Sequence, residues 1–243
     1  MGSSRQAQRF RGNIRPVATG SQLRKTKALL PTIGSVLLLS LVCASQNSKV
    51  ESTGALSDTA VSEAVRQSLE AKGYRLTLDD PKPACELWLR KSVPAPTKRE
   101  AEGVVYPQLA ESTLIGVVDY PQTATDFRGQ QVPAGFYTLR YALIPEDGNH
   151  LGVSPNRDFL LLIPAASDTD PNATFKFQEL VTMSAKTVGA KHPSPLSLAP
   201  ADQPSAGTVA KDDQDHWIFS AALKLASGQE LPFALIVKGR AQQ

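Results

Sequence analysis

Beyond residue 56, the apolar positions fall mostly into short runs of period two, interrupted twice by helical spacing. Val61, Val65 and Leu69 recur at i, i+4 and i+8, with Ala60 and Ala64 beside them. That single stripe predicts a helix over 57–72, with Ser57 as N-cap and Asp58 in its first turn. Gly73 suits the left-handed position that ends such a helix. Alternation then predicts strands at Tyr74–Leu78 and Cys85–Lys91, joined by the turn Asp79-Asp80-Pro81-Lys82-Pro83. The stripe is expected to pack on the Leu76/Leu78 or the Leu87/Leu89 face.

Ser112–Tyr120 is an apolar run with Gly116 inside it, the mark of a bulge or a close backbone approach. Val132–Ile144 contains the clearest strand. Tyr137, Leu139, Tyr141 and Leu143 share one face; Phe136, Thr138, Arg140, Ala142 and Ile144 share the other. Asp158–Ile163 is continuously apolar, which suits a strand covered on both sides. Phe175–Val188 predicts a short helix with Phe177, Leu180, Val181 and Val188 inward and Gly189 at its end. His216–Leu225 and Leu231–Lys238, joined through Ser227-Gly228, predict a closing hairpin. The expected fold is mainly β: an antiparallel β-sandwich with an N-terminal helix and one further short helix. Residues 57–243 form its single domain, 45–56 a flexible segment before it, and 191–207 a Pro/Ser-rich loop within it.

The N-terminus breaks this pattern. Arg5, Arg9, Arg11, Arg15, Arg24, Lys25 and Lys27 precede an apolar run, Ala28–Val42, closed by Val42-Cys43-Ala44. Basic, apolar and small segments in that order read as a signal peptide over 1–44, cleaved before Ser45. The run falls short of the roughly 20 apolar residues that a membrane-spanning helix needs. The protein is therefore expected to be exported, periplasmic or extracellular. Contact with a membrane is expected only through an uncleaved signal or lipidation at Cys43, although Ser40-Leu41-Val42 departs from a lipoprotein pattern.

Removing that segment reverses the charge. The chain has 26 basic and 23 acidic residues; the seven basic ones above leave 19 against 23, a net charge of −4. A mildly acidic domain without a Lys/Arg cluster is not built for nucleic acid. Cys85 is the one cysteine left, so no disulfide framework supports the fold, and a buried small apolar role is expected for it.

The stretch Phe127-Arg128-Gly129-Gln130-Gln131-Val132-Pro133-Ala134-Gly135-Phe136-Tyr137-Thr138-Leu139 resembles a signature of secreted bacterial β-sandwich proteins. In one such group, the DUF2911 domain proteins, Pro-Ala-Gly is followed by Tyr, a small polar residue and Leu, and then by a Pro that Pro145 would match. The resemblance covers about 35 residues. It implies a sandwich and no chemistry.

The densest polar cluster is the loop from Pro145 to Asp158, and loops of that length between strands are often functional. Asp147, Asn149, His150, Arg157 and Asp158 are its candidate binding residues. No catalytic residue, metal ligand set or cofactor is assigned. Gly152-Val153-Ser154-Pro155-Asn156 lacks the last Gly and the strand–turn–helix setting of a nucleophile elbow. His150, His192 and His216 are far apart in sequence. The leading expectation is a non-enzymatic exported protein that binds an envelope or extracellular partner. Two others compete: a metal-assisted hydrolase built on His150 and Asp147, and a carbohydrate-binding module using Trp88 or Trp217, with Tyr137 and Tyr141.

Overall fold

The computed structural model describes residues 48–94, 103–145 and 156–241. The signal segment, and Asp147, Asn149 and His150, lie outside the described residues. The chain runs through β1 (Lys49–Thr53), α1 (Glu63–Ser68), β2 (Gly73–Thr77), β3 (Pro83–Leu89) and β4 (Leu114–Tyr120). A small ribbon follows, β5 (Ala124–Thr125) and β6 (Gln131–Val132). Then come β7 (Gly135–Leu143), β8 (Asp158–Pro164), α2 (Phe177–Val188) and β9 (Pro195–Ala199). The last elements are β10 (Thr208–Lys211), β11 (Trp217–Lys224) and β12 (Glu230–Lys238).

Ten strands make one antiparallel ladder in the order β1-β2-β3-β4-β7-β8-β9-β12-β11-β10. The mainly β, antiparallel expectation holds; the ladder is continuous and curls until its edge strands β1 and β10 approach each other. Strand twist drives that curl, and side chains fill the interior. One core cluster takes Leu76, Leu87, Leu139, Leu160, Phe219 and Phe233 from strands all around the curl. Two helices, besides one short 3-10 turn, occur among the described residues. No helix there is long and apolar enough to cross a membrane.

β7 shows why its alternation was so clear. Tyr137, Leu139, Tyr141 and Leu143 point into the main core. On the outer face, Ala142 and Ile144 pack in the cluster beneath α2, and Phe136 packs in the cluster beneath α1. Gly116 lies at a register shift between β4 and β7, and a Cβ there would collide with the Trp88 carbonyl oxygen. Bulge and close approach are therefore both present. β8 is buried along its length, as its apolar run implied.

Helix α1 is shorter than its stripe suggested. Its N-cap is Ser62, whose Oγ accepts from Val65 N at 3.3 Å, not Ser57. The helix stops at Ser68 because Leu69 turns extended and bridges to Arg90, with Glu70 N donating to Leu89 O at 2.8 Å. Gly73 accordingly opens β2 rather than capping a helix, and a Cβ there would strike the Trp88 ring. The stripe packs on Trp88, Leu114 and Val117, the face opposite to the expected one. Two loose segments also gain strands: β1 within 45–56 and β9 within 191–207.

Arg140 organises the outer face. It is fully buried and donates from all five N–H groups. Nε and Nη2 reach the two Asp168 carboxylate oxygens at 2.8 and 2.7 Å, and Nη2 also reaches Asp170 O at 2.7 Å. Nη1 reaches Ser112 O and Ala173 O, each at 2.8 Å. The 168–173 segment is thus tied over the outer face of β7.

Candidate functional site

The most site-like feature begins with how α2 is seated. Leu180 packs against Phe159, Leu161 and Ile163 of β8. Thr187 Oγ1 donates to Leu162 O at 2.9 Å, and Ser194 N donates to Ser184 Oγ at 2.9 Å. Leu180, Ser184 and Thr187 are buried, so the buried stripe differs from the expected one. Phe177 and Val181 are only half-buried. They line a cavity of about 220 Å³, with Phe177 also packed against the cluster that Leu180 shares with β8.

The floor of this cavity includes Phe159 and Ser197, a registered pair of β8 and β9. The wall facing α2 comes from two segments distant in sequence. Buried Asp126 folds the 126–130 turn: Oδ1 accepts from Arg128 N and Gln130 N at 3.0 and 2.8 Å. Gln130 Nε2 donates to Asp126 Oδ2 at 2.8 Å and to Pro193 O at 2.9 Å. Phe127 N donates to Pro195 O at 2.9 Å. These bonds stitch the turn to residues 193–195. As a result Arg128, Lys191 and His192, all exposed, stand at one pocket. None of the three has an ion-pair partner among the described residues, and no described lining residue is acidic.

Two other depressions differ in that respect. One of about 230 Å³ lies beside Asp79 and Lys238, which are paired at 2.9 Å. The bond from Lys238 holds the Asp79 carboxyl below its ordinary value. Cys85 borders this depression but is buried; burial pushes its thiol up to about 12, so it stays protonated and inert. Beside the other, Lys224 is paired with Glu70 at 3.2 Å.

Comparison with protein-family models, curated proteins and solved structures gives no match. The site therefore rests on geometry alone.

Of the residues nominated from the polar loop, the two described ones serve the fold. Asp158 is fully buried. Its carboxylate accepts from Val105 N and Tyr106 N at 2.9 and 2.8 Å and lies 3.0 Å from Tyr141 Oη. Burial, then the charge of Asp158, raises the Tyr141 phenol above its ordinary value. Arg157 Nε donates to Ile144 O at 3.0 Å. Tyr106, anchored by Asp158, extends its hydroxyl between two strands. That hydroxyl donates to Ala199 O of β9 at 2.6 Å and accepts from Ala234 N of β12 at 2.7 Å. Burial pushes the Tyr106 phenol up to about 12.

The aromatic face expected of a carbohydrate-binding module is not at the surface. Trp88, Trp217, Tyr137 and Tyr141 are all buried, and Trp88 Nε1 donates to Gly54 O at 2.9 Å. His216 is also buried, with Nδ1 3.1 Å from Asp212 Oδ2 and Nε2 3.1 Å from Arg240 O. Among the described residues, no group of three His, Cys, Asp or Glu side chains gathers as a metal site would require. Arg128 and Lys191 were not nominated from sequence. His192 was considered only as a scattered metal ligand.

Proposed function

We propose that this is an exported, non-enzymatic binding protein whose curled sheet is a scaffold. The pocket between α2, the 126–130 turn and residues 191–197 receives a small, largely apolar ligand. The observation that carries this reading is the half-buried pair Phe177 and Val181 held over Phe159. Apolar clefts with a few convergent polar groups are the usual form of ligand sites. The basic, apolar and small order of residues 1–44 supports export. The Pro133-Ala134-Gly135 strand motif supports kinship with exported β-sandwich proteins.

Two experiments test the reading. Expression in a bacterium followed by N-terminal sequencing should recover, outside the cytoplasm, a chain that starts at Ser45; an unprocessed cytoplasmic chain overturns export. For the pocket, n-octanol is titrated into the purified protein while methyl resonances are followed by NMR. Ile144 and Val181 should shift, and Val181→Trp should abolish the change at Ile144. Unmoved methyls in the wild type overturn the pocket.

A further inference from the structure

We propose that the pocket takes a straight-chain monocarboxylate of medium length. The tail lies against Phe159, Phe177 and Val181, and the carboxylate sits at the edge formed by Arg128, Lys191 and His192. This rests on the pocket reading above and adds a head group and a tail length.

Charge selects the head group. Among the described residues, the edge carries two cationic side chains and a histidine with no carboxylate in the lining, whereas the other two depressions are lined by carboxylates as well, Asp79 and Asp80 in one and Glu70 and Glu230 in the other. An anion entering here meets charge that no described group of the protein has answered. The placement is built: Gln130 Nε2 to Pro193 O and Phe127 N to Pro195 O fix the two cation-bearing segments to each other. Arg128 offers a planar fork that matches a carboxylate, and Lys191 adds a point charge.

Volume selects the tail. A cavity of ~150 Å³ accepts a six-carbon ring. In proportion, the 220 Å³ here holds roughly nine carbons. The walls Phe159, Phe177 and Val181 suit an apolar tail, and the charged side chains of the lining are confined to the Arg128, Lys191 and His192 edge, so the ligand has one charged end.

Isothermal titration of the purified protein with octanoate, n-octanol and octylamine separates head from tail. Octanoate should bind about tenfold tighter than octanol, the effect of two exposed charge contacts, and octylamine should bind most weakly. In R128E/K191E, whose altered side chains are exposed and whose melting should match wild type, octylamine should overtake octanoate. Among hexanoate, octanoate, decanoate and dodecanoate, affinity should peak at octanoate or decanoate. Equal binding of octanoate and octanol overturns the head-group assignment and leaves the pocket standing, as does octanoate binding that the double variant does not change. Affinity rising steadily to dodecanoate overturns the tail length. Failure of octanol and octanoate alike overturns the pocket itself.

Discussion

Replacing Asp168 with alanine strands the Arg140 guanidinium where water cannot reach it. Both side chains are fully buried. The carboxylate accepts from Nε and Nη2 of Arg140 and from Thr138 Oγ1, the last at 2.6 Å. Removing one member of a buried pair costs about 3–5 kcal/mol, mostly the cost of the charge left behind. Arg140→Met should cost more. It leaves Asp168 unpaired and also frees the carbonyls of Ser112, Asp170 and Ala173. Of those three bonds only the one to Ser112 O is buried, so only that carbonyl stays dry. One orphaned acceptor adds about 1–3 kcal/mol, for a total near 4–8 kcal/mol. Domains are stable by only about 5–15 kcal/mol, so this variant sits at the edge of folding. The double variant Arg140→Met/Asp168→Leu removes both charges. It should cost only the roughly 1–3 kcal/mol of the carbonyl, less than either single change. Urea unfolding followed by fluorescence reads the order directly, because Trp88 and Trp217 belong to different core clusters. If Asp168→Ala shifts stability by under ~1 kcal/mol, or the double variant is as unstable as the singles summed, the reasoning fails.

Three further outcomes follow from the same structure. Asp158→Ala orphans the buried Tyr106 N–H, while the Tyr141 hydroxyl keeps its bond to Tyr106 O at 3.1 Å, and should destabilise by roughly 1–3 kcal/mol in urea melts; a variant as stable as wild type would contradict the structural role. Gly116→Ala pushes a methyl onto the Trp88 carbonyl and should cost about 1–3 kcal/mol, with amide exchange quickened along β3 and β4; unchanged exchange would mean that the close approach is relaxed without strain. Asp119 faces Glu86 across β3 and β4, and burial followed by that like charge raises its carboxyl above the ordinary value. The folded state therefore holds this proton more tightly than the unfolded chain, so the repulsion is absent below the ordinary Asp pKa and grows as pH rises through the raised value. Asp119→Asn should gain roughly 0.2–1 kcal/mol at pH 7 and nothing near pH 3; an equal gain at both pH values would refute the electrostatic cause.

The strands were legible where each face of a residue row meets one kind of neighbour. β7 alternates clearly because Tyr137, Leu139, Tyr141 and Leu143 all face the core. The limits of α1 were not legible, because Ser57 and Ser62 are both good caps. The choice was made by β3, which captures Leu69 into a bridge with Arg90. A sandwich and a curled ladder demand the same alternation, so period two could not tell them apart. Asp158 was nominated for its polarity, but its donors Val105 and Tyr106 lie about 50 residues upstream, beyond any local pattern. The pocket combines Arg128, Phe177 and Lys191 from three segments whose proximity depends on the Gln130–Pro193 bond. Its signal was the apolar spacing of Phe177 and Val181, which sequence assigned to the core.

The junction of β9 with β12 has a consequence for how this molecule comes apart. Only two residue pairs, Ala199 with Ala234 and Leu198 with Leu235, are in register there, whereas β11 and β12 pair along their whole length. The hydroxyl of Tyr106, reaching in from outside the ladder, is a rivet across that narrow seam. Loss of that hydroxyl should let the β9–β12 seam open first, which amide exchange faster at Ala234 in Tyr106→Phe would show. Asp158, at the start of β8, holds the Tyr106 backbone in place and so links β8 to the seam between the next two strands of the ladder.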